Sequence, residues 1–285
     1  MMDQAFQVID DVMKTYVSRE DVPNRWLIHQ TLATAAIRRA VLRALPIRAG
    51  MRVLDIGCGF GALTFDIAAL YAVQLTGIDR SSTALAVAKR VEHDLRNAGA
   101  IAAGCAIEWK TGDAEALPLP DNDADVAVSR FLFQHLTNPN AAVREIFRVL
   151  KPGGFTCLID ADDALSLEYP VDPVAAEVKD ALSRLQQTNG GDRHMGRKLA
   201  SLLAGAGLSV VQTFVVPQAH YAETPSRLAR LTLLEQLRER RAGLIETGII
   251  SQASYEALAR RLQQEPEQPQ FSMHAEVAVI AKKPA

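Results

Sequence analysis

The chain has 285 residues, 48% hydrophobic and 22% charged, and its 31 Lys plus Arg against 33 Asp plus Glu leave a net charge of −2. This is ordinary globular composition, which excludes disorder over most of the chain. The lack of a basic excess argues against nucleic acid or an anionic membrane surface as partner.

No apolar run reaches the roughly 18 residues a membrane span needs. The opening MMDQAFQVIDDVMK is acidic where a signal peptide is basic and then apolar. The expectation is a cytoplasmic protein with no membrane span, a monomer or homodimer. Cys58, Cys105 and Cys157 lie far apart, with no metal-ligand spacing, and read as reduced thiols.

Residues 1–45 show no strand pattern. Ile37, Val41 and Leu45 recur every four residues, predicting an amphipathic helix from Trp26 that Pro46 and Gly50 end. Strands and helices then alternate. Strands are predicted at 51–56, 73–78, 107–110, 124–129, 155–159, 209–216 and 273–282, and helices at 62–70, 82–98, 141–150 and 196–206. Such alternation implies βαβ units, hence an α/β fold with a doubly wound, mostly parallel, seven-stranded sheet. Two segments break the rhythm. Residues 160–195 hold a loop and a helix, and residues 217–270 hold two helices, Pro225 to Arg241 and Gln252 to Gln264. Three parts result: an N-terminal helical cap (1–45), a Rossmann-like core (46–216 and 271–285), and helical lid insertions (160–195 and 217–270). Parallel sheets bind ligands beyond the carboxyl ends of their strands. Both insertions follow strands that end there, so the lids are expected to form the substrate pocket.

The chemistry begins at Val53-Leu-Asp-Ile-Gly-Cys-Gly-Phe-Gly61, a strand entering a glycine turn before a helix. Glycine permits positive φ and lets backbone approach a ligand. Gly57, Gly59 and Ala62 fit the dinucleotide spacing G-x-G-x-x-G/A. Asp79, at the end of the second strand, is placed to accept hydrogen bonds from a ribose diol. Both features suit nicotinamide and adenosyl cofactors alike. Asp55 separates them: a carboxylate two residues before the first glycine repels a pyrophosphate and suits a cofactor with a cationic end. Further motifs follow in order: Gly112-Asp113-Ala114-Glu115-Ala116-Leu117-Pro118, then Asp125 to Leu136 (DVAVSRFLFQHL), then Val149-Leu150-Lys151-Pro152-Gly153-Gly154.

Over residues 51–160 the chain resembles the class I S-adenosylmethionine-dependent methyltransferases, in particular the small-molecule branch that includes the ubiquinone and menaquinone biosynthesis enzymes. The resemblance implies that S-adenosylmethionine is the cofactor and S-adenosylhomocysteine the product. It implies that Gly57, Gly59 and Gly61 line the methionine part and that Asp55 holds its amino group. Asp79 would take the ribose hydroxyls, Arg80 pack along the adenine, and Asp113 and Ala114 bind the adenine. Arg130, at the end of the fourth strand, reads either as a ligand for the cofactor carboxylate or substrate, or as a strand-end ion pair.

Methyl transfer is an in-line displacement with a neutral leaving group, so alignment carries much of the rate and a base is needed only if the nucleophile must lose a proton. His135 is the candidate base; the alternative is a histidine bonded to loop backbone. Candidate pocket residues are Tyr16, Trp26 and His29 in the N-terminal helices, Asp160 after the fifth strand, His194 beside a lid hinge, and His220 and Tyr221 after the sixth. Asp160, Asp162 and Asp163 also read as a solvated turn or helix cap, and no metal is expected. Leu228, Leu231, Leu234 and Leu237 form an apolar stripe that is either core or pocket wall. The functional expectation is O-, N- or C-methylation of a small, lipophilic or natural-product acceptor. The alternatives are a non-methylating adenosyl binder (pericyclase, isomerase or regulatory protein), a nicotinamide oxidoreductase, which Asp55 and Asp113 oppose, and a nucleic-acid methyltransferase, which the balanced charge opposes.

Overall fold

A computed structural model describes residues 2–223, 227–264 and 269–285. The expected helix start at Pro225 lies outside the described residues, and so do Pro266 and the Leu228 side chain. In chain order the elements are α1 (Met2–Val17), α2 (Trp26–Ala33), α3 (Ala35–Leu42), β1 (Arg52–Ile56), α4 (Ala62–Leu70), β2 (Gln74–Asp79), α5 (Ser82–Asn97), β3 (Ala106–Thr111) and β4 (Ala124–Arg130). They continue with α6 (Pro139–Val149), β5 (Leu150–Ala161), β6 (Leu167–Tyr169), α7 (Pro173–Thr188), α8 (Leu199–Gly205), β7 (Ser209–Ala222), α9 (Arg227–Glu239), α10 (Arg241–Glu246), α11 (Gln252–Leu262) and β8 (Gln270–Lys282).

The sheet is Rossmann-like, with path β3-β2-β1-β4-β5-β8-β6 and β7 on the other edge of β8. The pairs from β3 through β5 are parallel, and β8 runs antiparallel to β5, β6 and β7. Eight strands therefore replace the seven expected. The extra strand, β6, is three residues long with an exposed pattern. So short a segment has no alternation to read, and only its pairing with Met273 to Phe271 makes it a strand. β7 also runs six residues past the expected end at Val216, because Pro217–Ala222 pair with Gln270–Ala275 beyond the parallel sheet.

The central strands are buried on both faces, as parallel sheets between helix layers are. One face packs Val53, Val126 and Val128 against Val41, Leu42, Leu63 and Ile67 of α3 and α4. The other packs Leu54, Ala127 and Leu158 against Val143, Ile146, Leu199 and Leu203 of α6 and α8. Phe6, Ile9, Met13 and Tyr16 carry α1 onto α4 and α5. The helix expected from Trp26 breaks at Thr34, whose hydroxyl donates to the Gln30 carbonyl at 2.7 Å, and divides into α2 and α3.

Helices α7, α9, α10 and α11 share a separate core that includes Val178, Leu185, Leu234, Leu237, Leu244 and Leu258. Leu234 and Leu237 are thus core, and Leu231 is partly exposed. Among the described residues, no helix is long and apolar enough to cross a membrane.

Candidate functional site

At the carboxyl ends of β1, β2 and β4 lies a cavity of about 530 Å³. That is within the usual size of small-molecule sites. The glycine loop forms its floor. The backbone N–H groups of Gly57 and Cys58 donate to the Ile78 carbonyl at 2.8 and 3.0 Å, pinning the loop to the end of β2. Gly57, Gly59 and Gly61 have φ of +72°, +53° and +86°. A Cβ on Gly59 would have no heavy atom within 4 Å, so this stretch of backbone stands open to the cavity. A Cβ on Gly61 would meet the Phe65 and Trp109 rings at 2.7 and 2.8 Å. Gly61 is therefore behind the wall, shaping the turn.

Three carboxylates face this floor. Asp55, 2% exposed, accepts from the Thr64 hydroxyl at 2.6 Å, and burial pushes its pKa up to about 6. Asp79 accepts from the backbone N–H groups of Gly59 and Ser81, both at 2.8 Å. Asp113 accepts from the Glu115 N–H at 2.9 Å, with Ala114 beside it in the cavity wall. None of the three has an ion-pair partner at bonding distance among the described residues. Carboxylates gathered on a cavity without a paired cation suit a ligand that brings a cation and hydroxyl or amine donors.

The opposite wall comes from the β4 exit and the N-terminal helices. Arg130 and Arg38 line the cavity but are committed. Arg130 pairs with Glu276 through its Nε and Nη2, donates to Thr34 and lies over the Phe131 ring at 4.0 Å. Of its two sequence readings, the structure shows the ion pair. Phe131 itself takes φ of +57°. Arg38 is bound to Asp66. Trp26, Leu27, Gln30 and Thr31 roof the site.

His135 follows on a single 3-10 turn, Phe133–His135, also at the cavity. Its ring keeps a solvent-accessible face there. Crowding on its other sides, with Arg193, Arg240 and Arg80 nearby, pushes its pKa down to about 4. The imidazole is neutral at pH 7. In a proton NMR titration of the ring its resonance should therefore pass its midpoint near pH 4. A midpoint near the ordinary value of about 6.5 would show a freely solvated ring.

Of the expected site residues, Asp55, Gly57, Gly59, Asp79, Arg80, Asp113, Ala114, Arg130, His135 and Trp26 line this one cavity. Six expected pocket residues do not. Tyr16 is buried under α1 and donates to Asp94 at 2.6 Å. His29 is half-buried on α2 and does not line the cavity. Asp160 lies behind the wall, accepting from the Gln134 and Ala161 N–H groups at 3.0 and 2.8 Å, with burial pushing its pKa to about 7. His194 pairs with Asp162 at 3.2 Å. His220 stacks on His274, and Tyr221 is exposed on the strand extension. Asp160 lies within β5 and His220 and Tyr221 within β7 rather than beyond them, because both strands run on past their expected ends, and Tyr16 turns into the core under α1. Asp162 and Asp163 also go elsewhere, to Arg197 and Arg193.

Of the two insertions, Arg240 alone among the described residues touches the cavity. Sequence reading missed it, along with Gln30 and Thr31. It also missed Gln134, whose carbonyl accepts from the Asp192 N–H and the Gln186 amide, tying the His135 turn to α7. No local pattern marks these residues.

Residues 54–158 match the family of the methyltransferase domain. The chain is 33% identical over 163 residues to a phosphoethanolamine N-methyltransferase of Triticum aestivum, covering 57% of this chain and 29% of that enzyme. It is 29% identical over 158 residues to the ubiquinone/menaquinone biosynthesis C-methyltransferase of Roseobacter denitrificans, covering 55% of this chain and 60% of the other. The chain thus spans less than two thirds of these relatives. A crystal structure of Haemonchus contortus phosphoethanolamine N-methyltransferase 2, with phosphomonomethylethanolamine and S-adenosylhomocysteine, shares the fold. Its TM-score is 0.50 at 22% identity, over 88% of this chain and 53% of that one.

Proposed function

We propose, from the methyltransferase domain at residues 54–158, that the chain transfers a methyl group from S-adenosylmethionine to a small acceptor at O, N or C. The observation that carries this reading is the set Asp55, Asp79 and Asp113, without cation partners, on one cavity floored by an open glycine backbone. The chain's relatives include small-molecule methyltransferases, and a structure of this fold holds S-adenosylhomocysteine.

The residues fit the group. Asp55 holds its ammonium, directly or through water, and Gly59 gives the backbone clearance. Asp79 accepts from the ribose hydroxyls with lone pairs its two backbone donors leave free. Asp113 and the Ala114 N–H take the adenine, and Arg80 packs along it. When bound, S-adenosylmethionine supplies a methyl group on a cationic sulfur. The chain's part is alignment and exclusion of water, for which Trp26, Leu27 and Gln30 close the roof. His135, neutral at pH 7, can accept a proton from the acceptor.

The test is calorimetric titration with S-adenosylmethionine, S-adenosylhomocysteine and NADH. Both adenosyl ligands should bind and NADH should not; NADH binding alone would overturn the reading. Asp79→Ala should weaken S-adenosylhomocysteine by about 1–3 kcal/mol, the cost of lost hydrogen bonds to a charged group. An unchanged affinity would remove Asp79 from the ribose role. Tight adenosyl binding with no methyl release across an acceptor panel would favour the non-methylating alternative.

A further inference from the structure

Within the cavity the charges divide. The carboxylates occupy the glycine-loop end, and two of the lining arginines, Arg38 and Arg130, are neutralised by Asp66 and Glu276. Arg240 is different. It sits between α9 and α10 and, among the described residues of the insertions, is the one that reaches the cavity. Its guanidinium lies over the Trp26 ring at 5.1 Å, a contact that fixes the plane of the fork. Its Nη1 is shielded from solvent and has no hydrogen-bond partner in the structure. The adjacent carboxylate, Glu239, spends its Oε2 on the Trp26 indole N–H at 2.7 Å and makes no bond to Arg240.

A buried N–H left unpaired is destabilising, and more so when it belongs to a charged group. Burial pulls the Arg240 pKa down, the neighbouring Glu239 charge pushes it partly back up, and the Arg193 charge lowers it further. Among the described residues Arg240 lines the cavity with no hydrogen bond from its guanidinium to a carboxylate, and a guanidinium so placed, its plane held by the Trp26 ring, is a receptor for a planar or tetrahedral anion.

We propose that Arg240 recognises an anionic group, a carboxylate or phosphate, on the methyl acceptor. This rests on the methyltransferase reading and narrows it: the acceptor is an acid, held by its anion at the lid so that the nucleophile points back toward the glycine loop. Arg240 is then a specificity residue, and the inserted helices exist in part to deliver it.

The test uses the whole chain, loaded with S-adenosylhomocysteine, titrated at constant ionic strength with inorganic phosphate, benzoate and, as the neutral control, benzamide. One anion should bind in the millimolar range. Arg240→Gln should weaken it by roughly tenfold or more, as loss of a charge-assisted bond requires, with S-adenosylhomocysteine affinity unchanged. Arg240→Lys, which keeps the charge and loses the fork, should fall between; it carries the comparison if the Gln variant does not fold. Stronger phosphate binding assigns a phosphate monoester, and stronger benzoate binding a carboxylate. The proposal is overturned if neither anion binds the wild type, or if wild type and variants bind it equally. Failure of S-adenosylhomocysteine to bind would sink the methyltransferase reading instead. The anion titration, run then on the unloaded chain, still reads Arg240.

Discussion

Asp66→Ala should lower the unfolding free energy by about 3–5 kcal/mol, the range for breaking a buried ion pair from one side. Asp66 is fully buried on α4, and Arg38 of α3 is about as buried, with Nε 2.6 Å from the carboxylate. The other Asp66 oxygen accepts from Arg39 at 3.2 Å, and Arg39 in turn holds Asp10 of α1. One carboxylate therefore ties α1 and α3 to the helix that follows the glycine loop. Its removal leaves the Arg38 guanidinium inside the protein with only the Thr31 carbonyl. The same change should weaken S-adenosylhomocysteine, because Arg38 and Thr31 line the cavity and an uncompensated charge there will draw in water. Urea unfolding of wild type and variant checks the first effect. A loss below about 1 kcal/mol would mean that Arg38 escapes to solvent, as an exposed pair would allow.

Gly61→Ala should cost about 2–5 kcal/mol. About 1–2 comes from placing a side chain at left-handed φ. About 1–3 comes from overpacking, since the new methyl would lie 2.7 and 2.8 Å from the Phe65 and Trp109 rings. These rings meet edge to face at 5.7 Å, and Trp109 is anchored by its N–H to Glu92 at 2.6 Å, so neither moves freely. Gly59→Ala separates the two causes. Its φ of +53° carries the strain, but no atom waits within 4 Å. It should lose only about 1–2 kcal/mol of stability, and it should cost ligand affinity, because its methyl enters the cavity. Unfolding followed by tryptophan fluorescence, with calorimetry for binding, distinguishes them. Equal stability losses at the two positions would show that the rings give way.

Much of this was legible in the sequence because it is local. The apolar runs of β1 and β4, the glycine spacing and Asp79 at a strand end all follow from neighbours in the chain. β6 escaped because three exposed residues carry no period. Tyr16 and His194 were misplaced because polar residues near a predicted site look alike whether they face a cavity or bond to Asp94 and Asp162.

The sequence by itself determined the parallel sheet, the glycine turn and the line of carboxylates at its carboxyl edge, since backbone sterics and hydrophobic periodicity act over a few residues. Tertiary structure alone decided which cations are spent and which are free. Arg130 is neutralised by Glu276, 146 residues away, and Arg240 reaches the cavity from the junction of α9 and α10 with its Nη1 unpaired. Charge pairing across such separations depends on distance in space, which only the tertiary fold sets.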